Sequence, residues 1–293
     1  MNDHRNDDCD LTLDGDADWL SPLARVHYAA GMLLGVAALH TDQDYHRRRL
    51  GRHQHWLHGA GTVFGLAVVV DDDAPDGTPD PRITVRPGLA IDGLGREVLV
   101  PEPHCLRLNE WLATRDVGAL LAGRLDDGRL GLLVTLRQRD CPHALQPVVA
   151  EGVNAGTDAV RPARVSDDLA LELIPQRPPD PPALRPGWPG LPLPEEAPLT
   201  SEEQVRLAEA SPAAARRLRL AARLIHSPPP ERPLDRTTRH ALAEQLARVP
   251  LARLTVTLDD DSHAGAVAVD NLMRPMLTTP AQLAWLFEAE DSP

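Results

Sequence analysis

The chain has 293 residues, of which 42% are hydrophobic and 25% charged, so it can bury the core of one large domain or two smaller ones. Its net charge of -13 disfavours a general nucleic-acid-binding protein, because contact with phosphates needs a basic face. Every one of the 30 cationic side chains is arginine, which excludes a Schiff-base lysine, a lysine nucleophile and the lysine of a P-loop.

Residues 1–22 are rich in aspartate and are expected to form a mobile acidic N-terminus. They lack the basic and apolar parts of a signal peptide, and the apolar stretches elsewhere are too short for a membrane span. Cys9, Cys105 and Cys141 are odd in number and widely spaced, which disfavours a disulfide framework or a thiolate zinc site. These features predict a cytoplasmic protein without a membrane partner.

A long N-terminal helix is predicted between Gly31 and Gly59. Apolar and amphipathic residues recur there at steps of three and four, which is typical of one buried helix face. The predicted buried stripe consists of Met32, Leu33, Val36, Leu39, Gln43, His46, Leu50, His53 and Leu57. Arg47, Arg48 and Arg52 fall largely outside that stripe, either on a plain solvated face or as candidate interface residues.

Strands are predicted over much of the region that follows the helix. Thr62 to Val70 is typical of a strand, and Leu130 to Leu136 is apolar enough for a central one. Pro-Gly and Asp-Gly pairs divide residues 83–100 into short strands and turns. Asn109 is predicted to cap a helix over residues 110–121, and residues 169–174 alternate as a further strand.

The second half of the chain begins with a proline-rich segment. Residues 176–200 contain too much proline for a helix or central strand and predict a stiff linker. Thr200 or Ser201 then begins a helical region that Pro212 interrupts, with a further helix from Arg236 to Ala247. Strands are predicted at 254–258 and 266–269, and a C-terminal helix at Pro280 that contains Leu283, Trp285, Leu286 and Phe287.

These elements predict an α+β fold with mainly antiparallel sheet, on which the N-terminal and C-terminal helices pack. The predicted organisation is a first domain at 23–175, the linker at 176–200, a helical insertion at 201–248 and a C-terminal part at 249–293. In one arrangement the C-terminal strands rejoin the first sheet. In the other they belong to a second, sequential domain.

The sequence holds few arrangements that indicate chemistry. His46, His53, His55 and His58 are the candidate metal ligands, but their spacing is poor for one ion and no HExxH motif is present. Histidines bonded to backbone groups are the alternative interpretation. No GxSxG, P-loop or GxGxxG motif occurs, so we expect a protein that is not an enzyme and needs no cofactor.

Three segments together resemble a bacterial family encoded beside contractile injection systems, which are phage-tail-like particles. The first runs from Arg25 to Leu66 and contains Leu57-His58-Gly59-Ala60-Gly61-Thr62-Val63-Phe64-Gly65-Leu66, with Phe64 where a cysteine is common in the family. The second lies within 83–100, at Pro87-Gly88-Leu89-Ala90-Ile91-Asp92 and Gly95-Arg96-Glu97. The third is Val269-Asp270-Asn271-Leu272-Met273-Arg274-Pro275.

The resemblance implies a non-enzymatic structural or adaptor component of such a particle, associated with the baseplate. The partners implied are baseplate, tube or spike subunits, in a cytoplasmic protein that is assembled into particles, and a homo-oligomer is compatible with this role. The alternatives are a β domain that binds a ligand or cargo, and a metal-binding protein that uses the histidines. Trp188 in the linker is a further candidate interface residue.

Overall fold

The computed structural model describes residues 21–72, 79–147, 160–177, 199–226, 235–259 and 263–283. Residues 1–20 of the predicted acidic N-terminus, residues 178–198 of the predicted linker with Trp188, and residues 284–293 lie outside these ranges, whereas residues 280–283 of the predicted C-terminal helix are helical. The helices are α1 (Val36–Leu57), α2 (Leu108–Ala113), α3 (Val117–Leu120), α4 (Ser201–Glu209), α5 (Pro212–His226) and α6 (Arg236–Leu246), with a short 3₁₀ turn at Leu121–Gly123.

The strands pair antiparallel throughout, which confirms the predicted α+β class with mainly antiparallel sheet. They are β1 (Gly61–Gly65), β2 (Val68–Asp72), β3 (Pro81–Val85), β4 (Gly88–Ile91), β5 (Glu97–Val100), β6 (His104–Arg107), β7 (Leu130–Pro147), β8 (Val160–Pro175), β9 (Arg248–Leu258) and β10 (Ala264–Asp270). Three sheets result, with the orders β1-β4-β5, β2-β3-β6 and β10-β9-β7-β8.

The hydrophobic core lies between the four-stranded sheet and the smaller sheets. Alternate residues of β7 point into it, because side chains of a strand alternate between its two faces. Leu130, Leu132, Val134 and Leu136 are all buried there, and they belong to one continuous cluster with residues of β2, β3, β5 and β9. The prediction of a central strand at 130–136 is therefore confirmed, with β8 on one side and β9 on the other.

The strands β9 and β10 share a sheet with β7 and β8. Leu132 of β7 pairs with Pro175 on β8 and with Leu254 on β9. β7 therefore lies between β8, the next strand in the sequence, and β9, which comes from the second half of the chain. The helices α4, α5 and α6 are thus inserted between two strands of the same sheet. Thr200 caps α4, with reciprocal bonds between Thr200 and Glu203, and Pro212 separates α4 from α5 as predicted.

The prediction of a buried stripe on the first helix is wrong. Leu33, Val36, Leu39, Leu50 and Leu57 are exposed, and so are the other predicted members Met32, Gln43, His46 and His53. The face that packs on the body is a different one, because two glycines bring the backbone of α1 against the turn after β4, as described below. The helix also begins at Val36 rather than near Gly31.

Two local predictions are also corrected. The single strand expected from Thr62 to Val70 is broken at Leu66, whose φ of 57° turns the chain between β1 and β2. Asn109 does not cap a helix, because it lies within α2 and its side chain bonds residues outside that helix. Its amide nitrogen donates to the Pro79 carbonyl, and its oxygen accepts from the Ala264 amide at 2.8 Å, which ties α2 to β10.

Candidate interaction surfaces

Parts of the three sequence segments described above meet in space, and we call this region, with its immediate neighbours, the motif junction (residues 51–68, 87–96 and 269–276). At its centre Asp92 is fully buried. Its carboxylate accepts bonds from the Leu94 and Arg96 amides at 2.9 and 2.8 Å and from the Arg96 Nε at 2.8 Å. Burial raises the pKa of Asp92 above its ordinary value of 3.8, against the opposing effect of the Arg96 charge. The carboxylate fixes the turn between β4 and β5.

The end of α1 packs directly on that turn. Gly95 has a φ of 81°, and a Cβ placed on it would lie 2.0 Å from the Gly51 carbonyl oxygen, so both positions need glycine for the close approach. Four residues along the helix, the buried His55 donates from Nδ1 to the Gly93 carbonyl oxygen at 2.9 Å. Burial lowers the pKa of His55 below its ordinary value of 6.5. The imidazole thus links the helix to the turn.

The C-terminal segment closes the other side of the motif junction. The Asn271 side chain bonds both the amide and the carbonyl of Val68, each at 2.9 Å. It thus makes the backbone hydrogen bonds that a neighbouring strand would make to β2 at this residue. Arg274 donates to the Leu66 carbonyl at 2.8 Å, and the Thr62 amide donates to the Pro275 carbonyl at 2.9 Å. The residues of the motifs therefore bond one another, which gives them a packing role.

The second surface is the outer half of the β7–β8 hairpin, which we call the arm (residues 138–147 and 160–169). β9 pairs with β7 only as far as Arg137, whereas the pairing of β7 with β8 continues to Pro147 and Val160. Each strand of the arm has ten residues and spans about 30 Å. Leu145, Val160 and Val165 are each more than half exposed on it. The arm is a two-stranded ribbon with exposed apolar side chains.

The base of the arm is fixed by a network of two arginines and two glutamates. Arg137 donates to both carboxylate oxygens of Glu244 at 3.0 and 2.9 Å and lies 3.6 Å from Glu172. Arg248 bonds the same two glutamates at 2.8 and 3.0 Å. Burial lowers the pKa of Arg248, but the hydrogen bond that Arg248 donates to Glu172 and the charges of Glu172 and Glu244 outweigh it, so the pKa is raised. The network joins α6 to the face of β7 and β8 away from the core.

A cavity of about 1200 Å³ lies beside this network. Most of its lining comes from β7, β8 and α6, and the lining includes Trp111, Arg115, Arg139 and Glu172. The Arg115 guanidinium lies 5.0 Å from the centre of the Trp111 ring, a cation–π contact that covers one side of the indole. The polar lining arises because Thr135, Arg137 and Arg139 occupy the non-core face of β7.

The arginines predicted as interface candidates are not a freely solvated face. Arg52 donates to the Ser21 carbonyl at 2.6 Å, and Arg47 lies 3.3 Å from the Asp44 carboxylate. Arg48 is half-buried and has further interactions within the chain. The Tyr28 side chain interacts with Asp42 and the Ser21 carbonyl with Arg52, so the segment before α1 runs along the helix.

The histidines do not come together as a set. The rings of His53 and His58 approach to 5.5 Å between centroids, but His55 turns away to the backbone of Gly93, and the His46 ring contacts Tyr45. His55 and His58 thus have different partners: the His55 ring bonds the turn after β4, and the His58 ring contacts His53. In the part of the chain that the structure describes, no three His, Cys, Asp or Glu side chains are grouped to hold a metal ion.

Sequence reasoning missed the arm and the ion-pair network. Within the network only Glu244 and Arg248 are close in sequence, four residues apart, so only this pair could be recognised from the sequence. Arg137 and Glu172 are distant in sequence from these two residues. Cys105 is exposed on β6, and the Cys141 Sγ lies 3.4 Å from the Asp168 carboxylate on the arm.

Comparison of the chain with protein-family models, curated proteins and solved structures finds no match. None of the helices in the described ranges combines the length and apolar character that crossing a membrane requires.

Proposed function

We propose that this chain is a structural or adaptor component of a contractile injection particle, associated with the baseplate, and that it acts by binding other particle subunits rather than by catalysis. The family resemblance of the motif segments supplies the context. The arm is the observation that carries the proposal.

The argument from the arm is one of stability. A two-stranded ribbon is marginal in water, and independent stability needs further strands or a packed helix. In the arm, residues 143–147 and 160–168 are exposed, and their only strand partners among the described residues are each other. A ribbon of this kind is typical of a segment that a neighbouring subunit covers, either over its apolar side chains or by pairing with a strand edge.

The motif junction supports the same function in a different way. Its polar and glycine residues, among them Asp92, Gly95 and Asn271, are used in contacts that hold helix, sheets and C-terminal segment together. A motif whose side chains serve packing is expected in a protein that contributes shape and surface.

The test compares particles assembled with the wild-type chain and with an arm-deleted variant. In the variant, Asn-Gly replaces residues 141–166 and joins Asp140 to Asp167, which are directly opposite in the wild-type ladder. Particles are purified on a gradient from the native cell, and the ratio of this chain to the sheath and tube subunits is measured by mass spectrometry. We expect a fixed ratio for the wild type and loss of the variant from the particles.

Point variants separate binding from folding. Leu145→Asp with Val165→Asp places two charges on the arm, and Val205→Asp on α4 is the control because its side chain is similarly exposed. We expect only the arm variant to leave the particles. A wild-type chain that is absent from otherwise complete particles would refute the proposal, and an arm-deleted chain that stays bound would refute the role of the arm.

A further inference from the structure

The two outer edges of the arm differ in their backbone chemistry. The Gln176 amide donates to the Gly131 carbonyl at 3.0 Å, and the register between β7 and β8 does not shift along the arm. In an antiparallel pair, alternate residues of each strand direct their backbone groups to the partner strand. The even-numbered residues of β8 therefore bond β7, and the odd-numbered residues direct their N–H and C=O groups outward.

The outward groups of β8 form an open row. No described residue accepts a hydrogen bond from the outward amides of Ala163, Val165, Asp167, Leu171 and Leu173. Between them, the Leu169 amide bonds only the carboxylate of its own neighbour Asp168, at 2.8 Å. Pro162 belongs to the set that faces β7 and does not interrupt the row, which ends at Pro175.

The outer edge of β7 in the arm is blocked. Its outward residues are the even-numbered ones, because the odd-numbered ones bond β8. Pro142 belongs to this outward set and has no amide hydrogen. Ala144 is the next member, and its φ of 58° is a left-handed conformation that breaks the extended backbone of a pairing edge. Prolines and local irregularities protect strand edges from pairing, so β8 is the edge of the arm that stays open.

The open row continues from the arm into the cavity beside the ion-pair network. Every residue from 170 to 176 lines that cavity of about 1200 Å³. Because the side chains of a strand alternate between two faces, a cavity that reaches each residue in succession lies along the strand edge. β8 is the last strand of its sheet, so the cavity is a groove beside the outward groups of Leu171 and Leu173. It exceeds the range of about 300–1,000 Å³ for small-molecule pockets, and its length suits an extended chain segment.

The two walls of the groove differ in polarity, which specifies the side chains of an occupant. On one side of β8, Leu171 and Leu173 pack with the core that contains Trp111. On the other side, Arg137 lies opposite Ala170 and bonds Glu244 of α6. A strand added to β8 would place successive side chains against these two walls in turn. The segment that fits therefore alternates apolar and polar residues.

We infer that an extended segment of a particle subunit, with alternating apolar and polar side chains, adds as a further strand to the outer edge of β8 from Ala163 to Leu173. Main-chain hydrogen bonds supply the affinity in this mode of recognition, and the side-chain walls supply the specificity. The inference rests on the proposed function, because it names the edge at which the arm binds its neighbour. A neighbour that only covered the apolar side chains of the arm would leave the outward amides without acceptors.

Hydrogen–deuterium exchange at single-residue resolution tests the inference, on the free chain and on the chain in gradient-purified particles. The amides of Ala163, Val165 and Leu171 should exchange fast in the free chain and slow by more than about tenfold in the particle, because each gains an acceptor. The amides of Ala144 and Gln146 on the outer edge of β7 are the control, since both residues are exposed in the free chain. Their exchange rates should be the same in both states.

The outcomes of this experiment separate the inference from the function on which it rests. A chain that is absent from complete particles refutes both. A bound chain whose outward β8 amides exchange as fast as in the free chain overturns the inference and leaves the proposed function standing. Protection in the free chain overturns it too. If that protection rises between about 1 µM and about 100 µM, the occupant is a second copy, and if it is independent of concentration, the occupant is a segment of this chain.

A proline on each edge of the arm gives a matched pair of variants. Ala163→Pro removes an outward amide from β8 and Gln146→Pro removes one from β7, and neither amide takes part in the β7–β8 ladder. Ala163→Pro should reduce the amount of chain per sheath subunit in particles by more than about tenfold, because an added strand loses a hydrogen bond and meets the proline ring. Gln146→Pro should leave that ratio unchanged. Thermal midpoints close to the wild-type value in both variants exclude misfolding as the cause. Retention of Ala163→Pro in the particles, or equal loss of both variants, would overturn the choice of β8.

Discussion

The two halves of the β7–β8 hairpin share one ladder but differ in their surroundings. The inner half has β9 beside it, the core on one face and the network of Arg137, Glu172, Glu244 and Arg248 on the other. The outer half, the arm, has only its own two strands among the described residues. The difference shows that hydrogen-bonded pairing sets the shape of a hairpin, whereas the layers that cover it determine how much it contributes to the stability of the chain.

The largest expected effect comes from a core leucine of the inner half. Leu136→Ala should lower the free energy of unfolding by about 2–5 kcal/mol, because it removes buried methyl groups and leaves a cavity in the core. Leu145→Ala makes the same chemical change on the same strand in the arm and should cost less than about 0.5 kcal/mol. Urea unfolding of both variants measures the difference, and equal losses would contradict the comparison.

A smaller effect is expected at the boundary between the two halves. Arg137→Ala should cost about 1–3 kcal/mol, because it leaves Glu172 and Glu244 with Arg248 as the remaining guanidinium of the network. Arg177→Ala breaks a solvent-exposed pair with Asp126 and is the control, with an expected loss below about 0.5 kcal/mol. If the two variants unfold at the same urea concentration, the network does not stabilise the base of the arm.

The smallest effect concerns pH and the motif junction. Burial lowers the pKa of His55 in the folded chain below the value of 6.5 that it has in the unfolded chain. At pH values between these two pKa values, the unfolded chain therefore binds more protons than the folded chain. The stabilisation linked to neutral His55 is complete above 6.5 and is lost as the pH falls toward the folded pKa. We expect the thermal midpoint of the wild type to decrease from about pH 7.5 to about pH 5.5.

His55→Gln should lower the midpoint at the higher pH and reduce its change with pH, since the titrating group is gone. His143→Gln removes an exposed histidine of the arm and should leave the pH dependence of the wild type in place. A variant at His55 with the full wild-type decrease would show that another group causes the pH dependence.

Sequence reasoning identified elements whose signals are local. The apolar run of Leu130 to Leu136 predicted a central strand, which the structure confirms. Thr200 or Ser201, followed by two glutamates, predicted the start of α4, and the structure shows Thr200 as its cap. The short strands and turns predicted within residues 83–100 were found because Pro-Gly and Asp-Gly pairs define turns by backbone geometry.

The errors arise where a partner distant in sequence decides the outcome. Periodicity on α1 indicated which residues share a face, but it did not show whether the chain itself covers that face. His55 is buried because the Gly93 carbonyl, 38 residues away, accepts from its ring. The arm has no apolar alternation, since proline, arginine and aspartate interrupt it, and its strands are defined by their pairing with each other.

The position of β9 has a consequence for synthesis on the ribosome. Arg137 bonds Glu244 across 107 residues, and Val68 bonds Asn271 across 203. The edge of β7 that β9 covers therefore stays bare while the intervening helices are translated, and these contacts of high sequence separation close late. A nascent or truncated chain that ends before β9 presents an apolar strand with free backbone groups, which is a template for pairing with another such chain. Premature termination is thus expected to produce aggregates rather than a smaller folded body.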